Sequence, residues 1–192
     1  MGDKNQALYL SKYVPECEGR ILEIGSKDYG NTASFRDQYD YEEYVGIDME
    51  DGDGVDAVVD LVAGTGSLEK NYFDLAICCS VLEHVNRPWI FADNLSSLIK
   101  PGGLLYISAP WVWRYHPYPD DYWRFSWRGV EQLFPGFEWD HKFFSTNVIG
   151  EIFPAAHGSD DKAHILKDIG QDRVRKYLPY LNINMIGRKI AA

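Results

Sequence analysis

The stretch ILEIGSKDYG, residues 21–30, decides the fold class of this chain. Its first four residues form an apolar run with a single acid, as in a strand that is covered on both faces of a sheet. Gly25 and Gly30 follow, and they predict a turn at the carboxyl end of that strand. Open α/β sheets bind their ligands at this edge, so the stretch predicts a strand that leads into a ligand-binding turn.

Short apolar runs of the same kind recur along the chain, each bounded by glycine, proline or acidic residues. Most of them lack a regular alternation of apolar and polar residues, which is typical of parallel strands. The stretches between them are long enough for helices, so we predict an α/β protein. The predicted strands of this series are residues 20–24, 44–47, 57–59, 75–79 and 104–108.

The helices and the later strands are predicted from apolar spacing and from breaker residues. Residues 88–100 begin with proline, carry apolar residues at helical spacing and stop at a Pro-Gly-Gly sequence, which predicts a helix. A shorter helix is predicted at 129–134. Two more strands are predicted at 139–144 and 183–189, the last of them antiparallel and at an edge of the sheet. Residues 150–181 are predicted to be an insertion with a loop and a charged helical segment.

The composition limits the possible partners. A chain of 192 residues is predicted to form one domain, spanning 1–192. Its 19 lysines and arginines against 29 aspartates and glutamates give a net charge of −10, which repels nucleic acid and anionic lipids. The sequence has no run of about 18 apolar residues, and residues 1–12 lack the layout of a secretion signal. We therefore expect a soluble, cytoplasmic protein that binds neither nucleic acid nor membranes.

The three cysteines predict neither a disulfide framework nor a zinc knuckle. Cys17, Cys78 and Cys79 are an odd number and lack the C-x-x-C spacing. Cys78 and Cys79 are adjacent within a predicted strand, so their side chains are expected on opposite faces of the sheet.

The turn after the first strand favours a ligand other than a dinucleotide. In a dinucleotide fingerprint the second glycine lets the pyrophosphate approach the backbone, and Lys27 stands in that position, which disfavours NAD and FAD. S-adenosylmethionine has no phosphate and is a cation, so it tolerates Lys27 and suits the negative charge of Glu23. The alternative is that Gly25 and Gly30 are ordinary turn glycines and Glu23 is a solvated acid.

Acids at the ends of the next two strands support a nucleoside ligand. Asp48 follows Gly25 at a spacing of about 20 residues, at which an acid accepts hydrogen bonds from both ribose hydroxyls. Met49 is polarizable and suited to an adenine face, although ordinary loop packing explains it as well. Asp60 ends the third predicted strand, where it either accepts from the adenine amino group or caps a helix.

Four ordered blocks carry a family resemblance: LEIG at 22–25, VGID at 45–48, FDL with the later SVLEHV between 73 and 85, and PGGLL at 101–105. They resemble the class I S-adenosylmethionine-dependent methyltransferases, particularly the small members grouped as methyltransferase type 11. The resemblance implies a Rossmann-like seven-stranded sheet, with six parallel strands and one reversed strand, flanked by helices on both faces.

The resemblance also implies which residues hold the cofactor, S-adenosylmethionine. The turn residues would bind its methionine part, the acid after the second strand its ribose, and the residues around position 60 its adenine. A serine after the fourth strand would border the methionine end. These cofactor residues are Glu23, Gly25, Ser26, Gly30, Asp48, Met49, Asp60, Leu61 and Ser80.

The turn departs from the family pattern, Glu-x-Gly-x-Gly-x-Gly. Lys27 and Tyr29 replace the later glycines, and Gly30 comes one place further on. Either a turn that is one residue longer still encloses the cofactor, or the site is degraded. The other three blocks are intact, which favours the longer turn.

An aromatic segment at 111–127 is predicted to form the acceptor side of the site. Eight aromatic residues lie in it, whereas 15% of the whole chain is aromatic. It follows the fifth strand, so it can cover the ligand edge of the sheet. The alternative is a rigid packed lid without a ligand. The predicted acceptor-binding residues are Trp111, Tyr118, Trp123 and Arg124, with Arg124 as a partner for an anionic group.

Methyl transfer to a hydroxyl or a protonated amine needs a group that removes a proton. Histidine exchanges protons near neutral pH, which makes His116 the first candidate, with Asp120 or Asp121 orienting its ring or accepting the proton. His84 follows the fourth strand and is the second candidate. A purely structural role of His116 is the alternative. A metal site built from His116, Asp120 and Asp121 matches no recognised spacing, so no metal is expected.

Three functions are compatible with these patterns. The first is an S-adenosylmethionine-dependent methyltransferase for a small-molecule or glycan-type acceptor. The second is a non-catalytic S-adenosylmethionine-binding or protein-interaction module on the same fold, favoured by the altered turn. The third is a nicotinamide oxidoreductase, because Asp48 would serve NAD equally well. The family resemblance favours the first.

Overall fold

The computed structural model describes residues 2–30, 35–117, 119–146, 149–150, 152–154 and 180–191. A sheet of eight strands forms the centre of this part of the chain. The strands are β1 Arg20–Ile24, β2 Glu43–Asp48, β3 Ala57–Val58, β4 Phe73–Cys79, β5 Ile99–Trp113, β6 Phe137–Ser145, β7 Ile152–Pro154 and β8 Tyr180–Lys189. Their order across the sheet is β3-β2-β1-β4-β5-β8-β6-β7.

The helical elements are mostly short. The α-helices among the described residues are α1 Gly2–Tyr13, α2 Pro88–Leu98 and α3 Trp127–Leu133, and two 3-10 turns cover Arg36–Gln38 and Leu82–His84. Of the helices in this part of the chain, none is long and apolar enough to cross a bilayer.

The strand directions match the predicted Rossmann-like sheet. Strands β1 to β5 pair in parallel, and β8 pairs antiparallel with both β5 and β6. β6 therefore runs in the same direction as β1 to β5, which confirms six parallel strands and one reversed strand. The short strand β7 pairs antiparallel with β6, so it adds to the predicted seven strands an eighth, which is also reversed.

The position predicted for the last strand was wrong. β8 is antiparallel as expected, but it lies between β5 and β6 and not at an edge of the sheet. Seven consecutive residues of β8, from Leu181 to Gly187, are buried, as in a strand covered on both faces. Two of them are asparagines, and Asn184 accepts a hydrogen bond from the Tyr106 hydroxyl at 2.8 Å. The interior position was not predicted because buried asparagines are uncommon in a strand that is covered on both faces.

Helices cover both faces of the sheet. Tyr9 and Leu10 of α1 pack on the face that carries Ile21 and Ile77. Helices α2 and α3 pack on the opposite face, against side chains that include Cys78. Because side chains alternate along a strand, neighbouring residues serve the two cores. Cys78 and Cys79 accordingly lie on opposite faces, as predicted.

The link between α2 and β5 is shorter than predicted. The helix ends at Leu98, and Ile99 already belongs to the strand. The strand then passes through the Pro-Gly-Gly sequence, where Gly102 has a φ of 80° and a Cβ on Gly103 would lie 2.8 Å from Ile99 Cγ2. β5 continues to Trp113, so the first residues of the aromatic segment belong to the sheet.

Helix α3 begins earlier than predicted, and most of the predicted insertion cannot be compared with the structure. α3 covers Trp127–Leu133 and not 129–134, because the Oγ of Ser126 accepts a hydrogen bond from the Gly129 amide at 3.2 Å and caps an earlier start. The insertion predicted at 150–181 lies largely outside the described residues, which include β7 from it. The division of 1–192 into a single domain with this insertion stays a prediction.

Candidate active site

The turn after β1 is tied to β2 and packs against the segment after β4. Gly25 has a φ of 75°, and its amide donates to the Ile47 carbonyl at 2.8 Å. A Cβ on Gly25 would lie 2.6 Å from Cγ2 of Val81. Only glycine therefore satisfies both the backbone conformation and the space. The carboxyl ends of β1, β2 and β4 consequently meet at Gly25.

A loop after β2 supports the rest of the turn. The Asp28 amide donates to the Asp53 carbonyl at 2.8 Å, and a Cβ on Gly54 would lie 2.6 Å from the Ser26 carbonyl oxygen. The Oγ of Ser26 is buried and has no hydrogen-bond partner among the described residues. Gly30 has a φ of 83° and ends the described part of the turn.

Lys27, which replaces a family glycine, lies along this loop. Its Nζ donates to Oε2 of Glu50 at 2.7 Å and lies 5.4 Å from the centre of the Tyr29 ring. A Cβ on Gly52 would lie 2.9 Å from Lys27 Cε, so the aliphatic part of the lysine rests on that glycine. The two replacements, Lys27 and Tyr29, therefore contact each other, and Lys27 also contacts the loop after β2.

Asp48 ends β2 beside the turn. Its Oδ2 lies 3.4 Å from the Lys27 amide nitrogen, and its Oδ1 accepts from the Glu50 amide at 3.1 Å. Met49 is next to it and 60% exposed. An acid and an exposed thioether thus stand together at the strand end, as the sequence predicts.

Glu23 lies within β1, on the face covered by α1. The Tyr44 hydroxyl donates to Glu23 Oε2 at 2.5 Å. Burial raises the pKa of Glu23 to about 7, although the hydrogen bond from Tyr44 and the charge of Arg36 oppose this shift. Folding therefore favours the neutral form of this carboxyl group.

The residues after β3 form a capped turn. Oδ1 of Asp60 accepts from the Val62 amide at 2.8 Å, and its carbonyl oxygen accepts from the amides of Ala63 and Gly64. The alternative prediction for Asp60 was that it caps a helix. The structure shows instead that it caps a turn. Leu61 is buried, and its carbonyl oxygen accepts from Nδ2 of Asn94 in α2 at 2.8 Å.

Ser80 follows β4 in an unusual backbone conformation. Its φ is 56°, which is uncommon for a residue other than glycine and is found at functional sites. Its amide donates to the Ser108 carbonyl at 2.8 Å. The fully buried Gln6 of α1 donates from Nε2 to Oγ of Ser108 at 2.9 Å and to Oγ of Ser80 at 3.3 Å. Neither α1 nor the role of Gln6 was predicted from the sequence.

A cluster of Glu83, His84 and His116 lies immediately after Ser80. Glu83 is fully buried, and its Oε1 is 3.9 Å from Nε2 of His84 and 3.8 Å from Nε2 of His116. The centres of the two imidazole rings are 5.0 Å apart. The structure therefore brings both predicted histidines together, around Glu83, for which no role was predicted from the sequence.

The other ring nitrogen of each histidine faces oxygen atoms. Nδ1 of His84 lies 2.5 Å from the Asp120 carbonyl oxygen. Nδ1 of His116 lies 3.3 Å from the Arg114 carbonyl oxygen and 3.3 Å from Oδ2 of Asp121. Carbonyl and carboxylate oxygens accept hydrogen bonds, so in the neutral form of each ring these contacts favour the proton on Nδ1 and the lone pair on Nε2.

Asp121, and not Asp120, is the acid that orients His116. Its Oδ2 accepts from the His116 amide at 2.8 Å and from Nη2 of Arg124 at 2.7 Å. The hydrogen bonds from Arg124, together with its charge, hold the pKa of Asp121 well below its usual range. The carboxylate of Asp120 instead accepts from the Tyr122 hydroxyl at 2.9 Å.

Arg124 holds the aromatic segment together. In addition to Asp121, its guanidinium donates to the carbonyl oxygens of Trp113 and Arg114 at 3.2 and 3.0 Å. A further nitrogen donates to the carbonyl oxygen of Trp123 at 2.7 Å. These contacts favour a structural role over the predicted contact with an anionic acceptor.

The aromatic segment lies across the ends of β4 and β5. The amides of Tyr122 and Trp123 donate to the Glu83 carbonyl at 2.8 and 3.2 Å, and Nε1 of Trp123 donates to the Val85 carbonyl at 2.8 Å. Tyr115 is 69% exposed, and Trp123 is 37% exposed. Part of the segment is therefore available to a ligand.

The other predicted acceptor residues differ in position. Trp111 stacks on Phe144 with ring centres 4.8 Å apart and contacts the Trp127 ring edge to face. It therefore belongs to the packing between β5, β6 and α3. Tyr118 lies outside the described residues.

Burial also acts on the ionisation of the cluster. It raises the pKa of Glu83 to about 8, with Asp121 adding to the shift and Arg124 opposing it. Burial lowers the pKa of His84, and the neighbouring His116 adds to this effect. Shifts of this kind are frequent where side chains exchange protons or bind ions.

A methyltransferase domain model matches residues 5–145. No curated protein matches the sequence. Among solved structures, an S-adenosylmethionine-dependent methyltransferase from Archaeoglobus fulgidus is 16% identical over 96% of this chain and 93% of that chain, with a TM-score of 0.62. A putative methyltransferase from Haloferax volcanii, in complex with the Trm112 methyltransferase activator, is 12% identical over 99% and 91%, with a TM-score of 0.65.

A third solved structure has the same fold and holds ligands. It is the Burkholderia thailandensis 1,6-didemethyltoxoflavin-N1-methyltransferase with bound 1,6-didemethyltoxoflavin and S-adenosylhomocysteine, 13% identical over 96% of this chain and 76% of that chain, with a TM-score of 0.59. At these identities the structures establish the fold, and the family match covers most of the chain. The chain therefore belongs to the methyltransferase domain family and, as its sequence resemblance predicts, to the class I S-adenosylmethionine-dependent methyltransferases.

Proposed function

We propose that the chain transfers a methyl group from S-adenosylmethionine to a small-molecule or glycan-type acceptor. The observation that carries this proposal is the meeting of Gly25, Asp48 and Ser80 at one edge of the sheet, directly beside the two histidines. Val81 packs on Gly25 and directly precedes the 3-10 turn that contains His84. The proposed cofactor site therefore adjoins the proposed proton acceptors.

S-adenosylmethionine is the cofactor at this edge. The turn residues Gly25, Ser26 and Gly30 approach its methionine part, together with Ser80. Glu23 lies beneath the turn and carries negative charge there once it ionises, above about pH 7. Asp48 accepts hydrogen bonds from the ribose hydroxyls. Met49, Asp60 and Leu61 lie on the adenine side of the site.

The histidines take up the proton that the acceptor loses. Methyl transfer from a sulfonium is an in-line displacement, for which the protein mainly aligns donor and acceptor and excludes water. A hydroxyl or ammonium group must also lose a proton. The Nε2 atoms of His84 and His116, which lie 3.9 and 3.8 Å from Oε1 of Glu83, take up this proton, and Asp121 lies 3.3 Å from Nδ1 of the His116 ring. The exposed rings of Tyr115 and Trp123 offer apolar faces to an acceptor.

The proposed function is tested by cofactor binding and methyl transfer. Calorimetry with S-adenosylhomocysteine should give one site per chain. Radiolabelled S-adenosylmethionine should then label at least one member of a panel of small-molecule and glycan acceptors. No binding at millimolar ligand would contradict the proposal.

Replacing Asp48 with alanine should weaken cofactor binding by about 1 to 3 kcal/mol, because the ribose hydroxyls lose their acceptor. The measurement is calorimetric titration with S-adenosylhomocysteine. Asp93→Ala is the matched control, since Asp93 is an exposed acid of α2 and its loss should leave affinity unchanged. Equal affinity of the Asp48 variant and the unmodified protein would remove Asp48 from the ribose site.

Replacing His116 with alanine should reduce turnover at least tenfold while cofactor affinity stays within about twofold, because a proton acceptor acts on the chemical step. kcat and KM are measured with any acceptor that the panel identifies. His141→Ala is the control, since His141 packs on Tyr13. Unchanged kcat in the His116 variant would leave this histidine with a structural role.

A second candidate is a cofactor-binding or protein-interaction module without turnover. The side chains of Trp89, Tyr115, Tyr122 and Trp123 are each more than one-third exposed, and they would suit a protein partner. The Haloferax volcanii structure is a complex of a putative methyltransferase with an activator protein. Cofactor binding without turnover on any acceptor, with a stoichiometric protein partner, would favour this candidate.

A further inference from the structure

Three metal-ligating side chains converge after β4. Oε1 of Glu83, Nε2 of His84 and Nε2 of His116 lie within 4.8 Å of one another. They come from two segments far apart in the sequence, the 3-10 turn after β4 and the segment after β5. Two imidazole nitrogens and one carboxylate oxygen form a common ligand set for first-row transition metals.

Both histidines are held in the orientation that metal ligands need. Nδ1 of His84 is fixed by the Asp120 carbonyl at 2.5 Å. Nδ1 of His116 faces Oδ2 of Asp121 at 3.3 Å, and that carboxylate is itself held by Arg124. In metal sites a ligand histidine commonly donates its other ring N–H to a carbonyl or carboxylate oxygen, which leaves the ligating nitrogen unprotonated.

Glu83 lacks the partners that a buried acid normally has. Its side chain is 0% exposed, and no other residue in the part of the chain that the structure describes forms a hydrogen bond with either carboxylate oxygen. The imidazole nitrogens at 3.8 and 3.9 Å are beyond the range of a hydrogen bond. A buried polar group without partners is costly, so these oxygens point to a ligand.

The spacing of the three atoms is close to that around a metal ion. With bonds of about 2.0 to 2.2 Å, the ligand atoms of a tetrahedral site are separated by about 3.4 Å. The two separations from Glu83 are 3.8 and 3.9 Å, and the two imidazole nitrogens lie within 4.8 Å of each other. All three separations reach the tetrahedral value if each side chain moves by less than about 1 Å. The His116 side chain is 31% exposed, which provides an entry path for an ion.

We propose that Glu83, His84 and His116 bind one divalent first-row transition metal ion, of which Zn²⁺ is the representative, and leave at least one coordination position open. Imidazole ligands favour such an ion over Mg²⁺ or Ca²⁺, which prefer oxygen ligands. The site goes beyond the proposed methyl transfer, because its metal affinity does not require the cofactor. An acceptor oxygen in the open position would be polarised by the ion and would lose its proton more readily. The Nε2 lone pairs of the two histidines take up that proton only in the metal-free protein, because a bound ion would occupy them.

Metal binding is tested on the full chain after treatment with a chelator. Titration with ZnCl₂ at pH 7.5 should give one site per chain with micromolar or tighter affinity. Glu83→Gln, His84→Ala and His116→Ala should each weaken this affinity about 100-fold, whereas His141→Ala should leave it unchanged. Circular dichroism verifies that each variant is folded, and His116→Ala removes a partly exposed side chain, so it remains informative if the buried Glu83 variant unfolds.

Co²⁺ distinguishes this site from binding by cysteine. The Co²⁺ complex should show weak visible bands without the intense near-ultraviolet band of a cobalt–thiolate bond. A thiolate band would place the ion on cysteine and overturn the proposal. Failure of the unmodified protein to bind Zn²⁺, or equal affinity in folded His116→Ala, would overturn it as well.

The same samples separate this proposal from the proposed function. Titration with S-adenosylhomocysteine, in the presence and absence of Zn²⁺, reports on the cofactor site alone. Zn²⁺ binding without cofactor binding would support the metal site and contradict the proposed function. Cofactor binding without Zn²⁺ binding would overturn the metal site and leave the proposed function intact.

Discussion

Replacing Arg124 with alanine is expected to lower the free energy of unfolding by about 3 kcal/mol, because the change leaves a buried carboxylate without its counter-charge. The Asp121 side chain is 1% exposed, and Arg124 donates to both of its oxygens. The alanine variant also loses the hydrogen bonds to the carbonyl oxygens of Trp113, Arg114 and Trp123. Denaturation by urea, followed by tryptophan fluorescence, measures the change.

The matched control for this prediction is Arg128→Ala. Arg128 forms an ion pair with Glu131 at 2.9 Å, but its side chain is 72% exposed, so its loss should cost less than about 1 kcal/mol. The loss in the free energy of unfolding for Arg124→Lys should lie between those of the two alanine variants, because lysine keeps the charge and lacks the planar arrangement of donors. Equal stabilities of the Arg124 and Arg128 alanine variants would contradict the structural role of Arg124.

The parallel strands of this fold are predictable because their signal is local. β1 occupies the residues expected from its apolar run, and β2, β3 and β4 agree within two residues. Burial on both faces demands consecutive apolar residues, which can be read directly from the sequence. The blocks at the strand ends add the resemblance that the family match confirms.

α1 could not be predicted because polar residues occupy part of its buried face. Asn5, Gln6, Tyr9 and Leu10 are all fully buried, and their spacing is helical. The two amides can be buried because they form hydrogen bonds with residues far along the chain. Nδ2 of Asn5, for example, donates to the Thr146 carbonyl. A hydrophobicity pattern does not detect a face built in this way.

The role of Glu83 depends on a contact that no local pattern shows. The acid belongs to a block that supports the family resemblance, but its burial requires the aromatic segment to fold over it, with Tyr122 and Trp123 bonded to its carbonyl. The choice between Asp120 and Asp121 has a similar cause. The two acids are adjacent in the sequence, and only the path of the segment decides which one meets His116.

Glu23→Gln should change how stability depends on pH. Burial raises the pKa of Glu23 to about 7 in the folded protein, above the value of about 4.3 for a free glutamate. The folded state therefore binds the proton more tightly than the unfolded state between these values. The contribution of Glu23 to the free energy of unfolding is therefore fully present below about pH 4.3, and it is lost as the pH rises towards 7.

The glutamine variant isolates this effect. Because glutamine does not ionise and retains an oxygen for the Tyr44 hydroxyl, the stability of the variant relative to the unmodified protein should increase by about 3 kcal/mol between pH 4.5 and pH 8. Urea denaturation at both pH values measures it. Glu138→Gln is the control, since Glu138 is an exposed acid of β6. A Glu23 variant with the same pH dependence as the unmodified protein would contradict the effect of burial on this carboxyl group.

The same variant tests whether Glu23 acts on the cofactor. The sulfonium of S-adenosylmethionine is positive, whereas the sulfur of S-adenosylhomocysteine is neutral, so an ionised Glu23 should favour the first ligand through charge. In the unmodified protein, the ratio of the two affinities should shift towards S-adenosylmethionine as the pH rises from 6 to 8. In Glu23→Gln this shift should be smaller, because Glu23 no longer contributes to it, although both ligands still bind. A ratio that is independent of pH in the unmodified protein would restrict Glu23 to the packing of β1 against Tyr44.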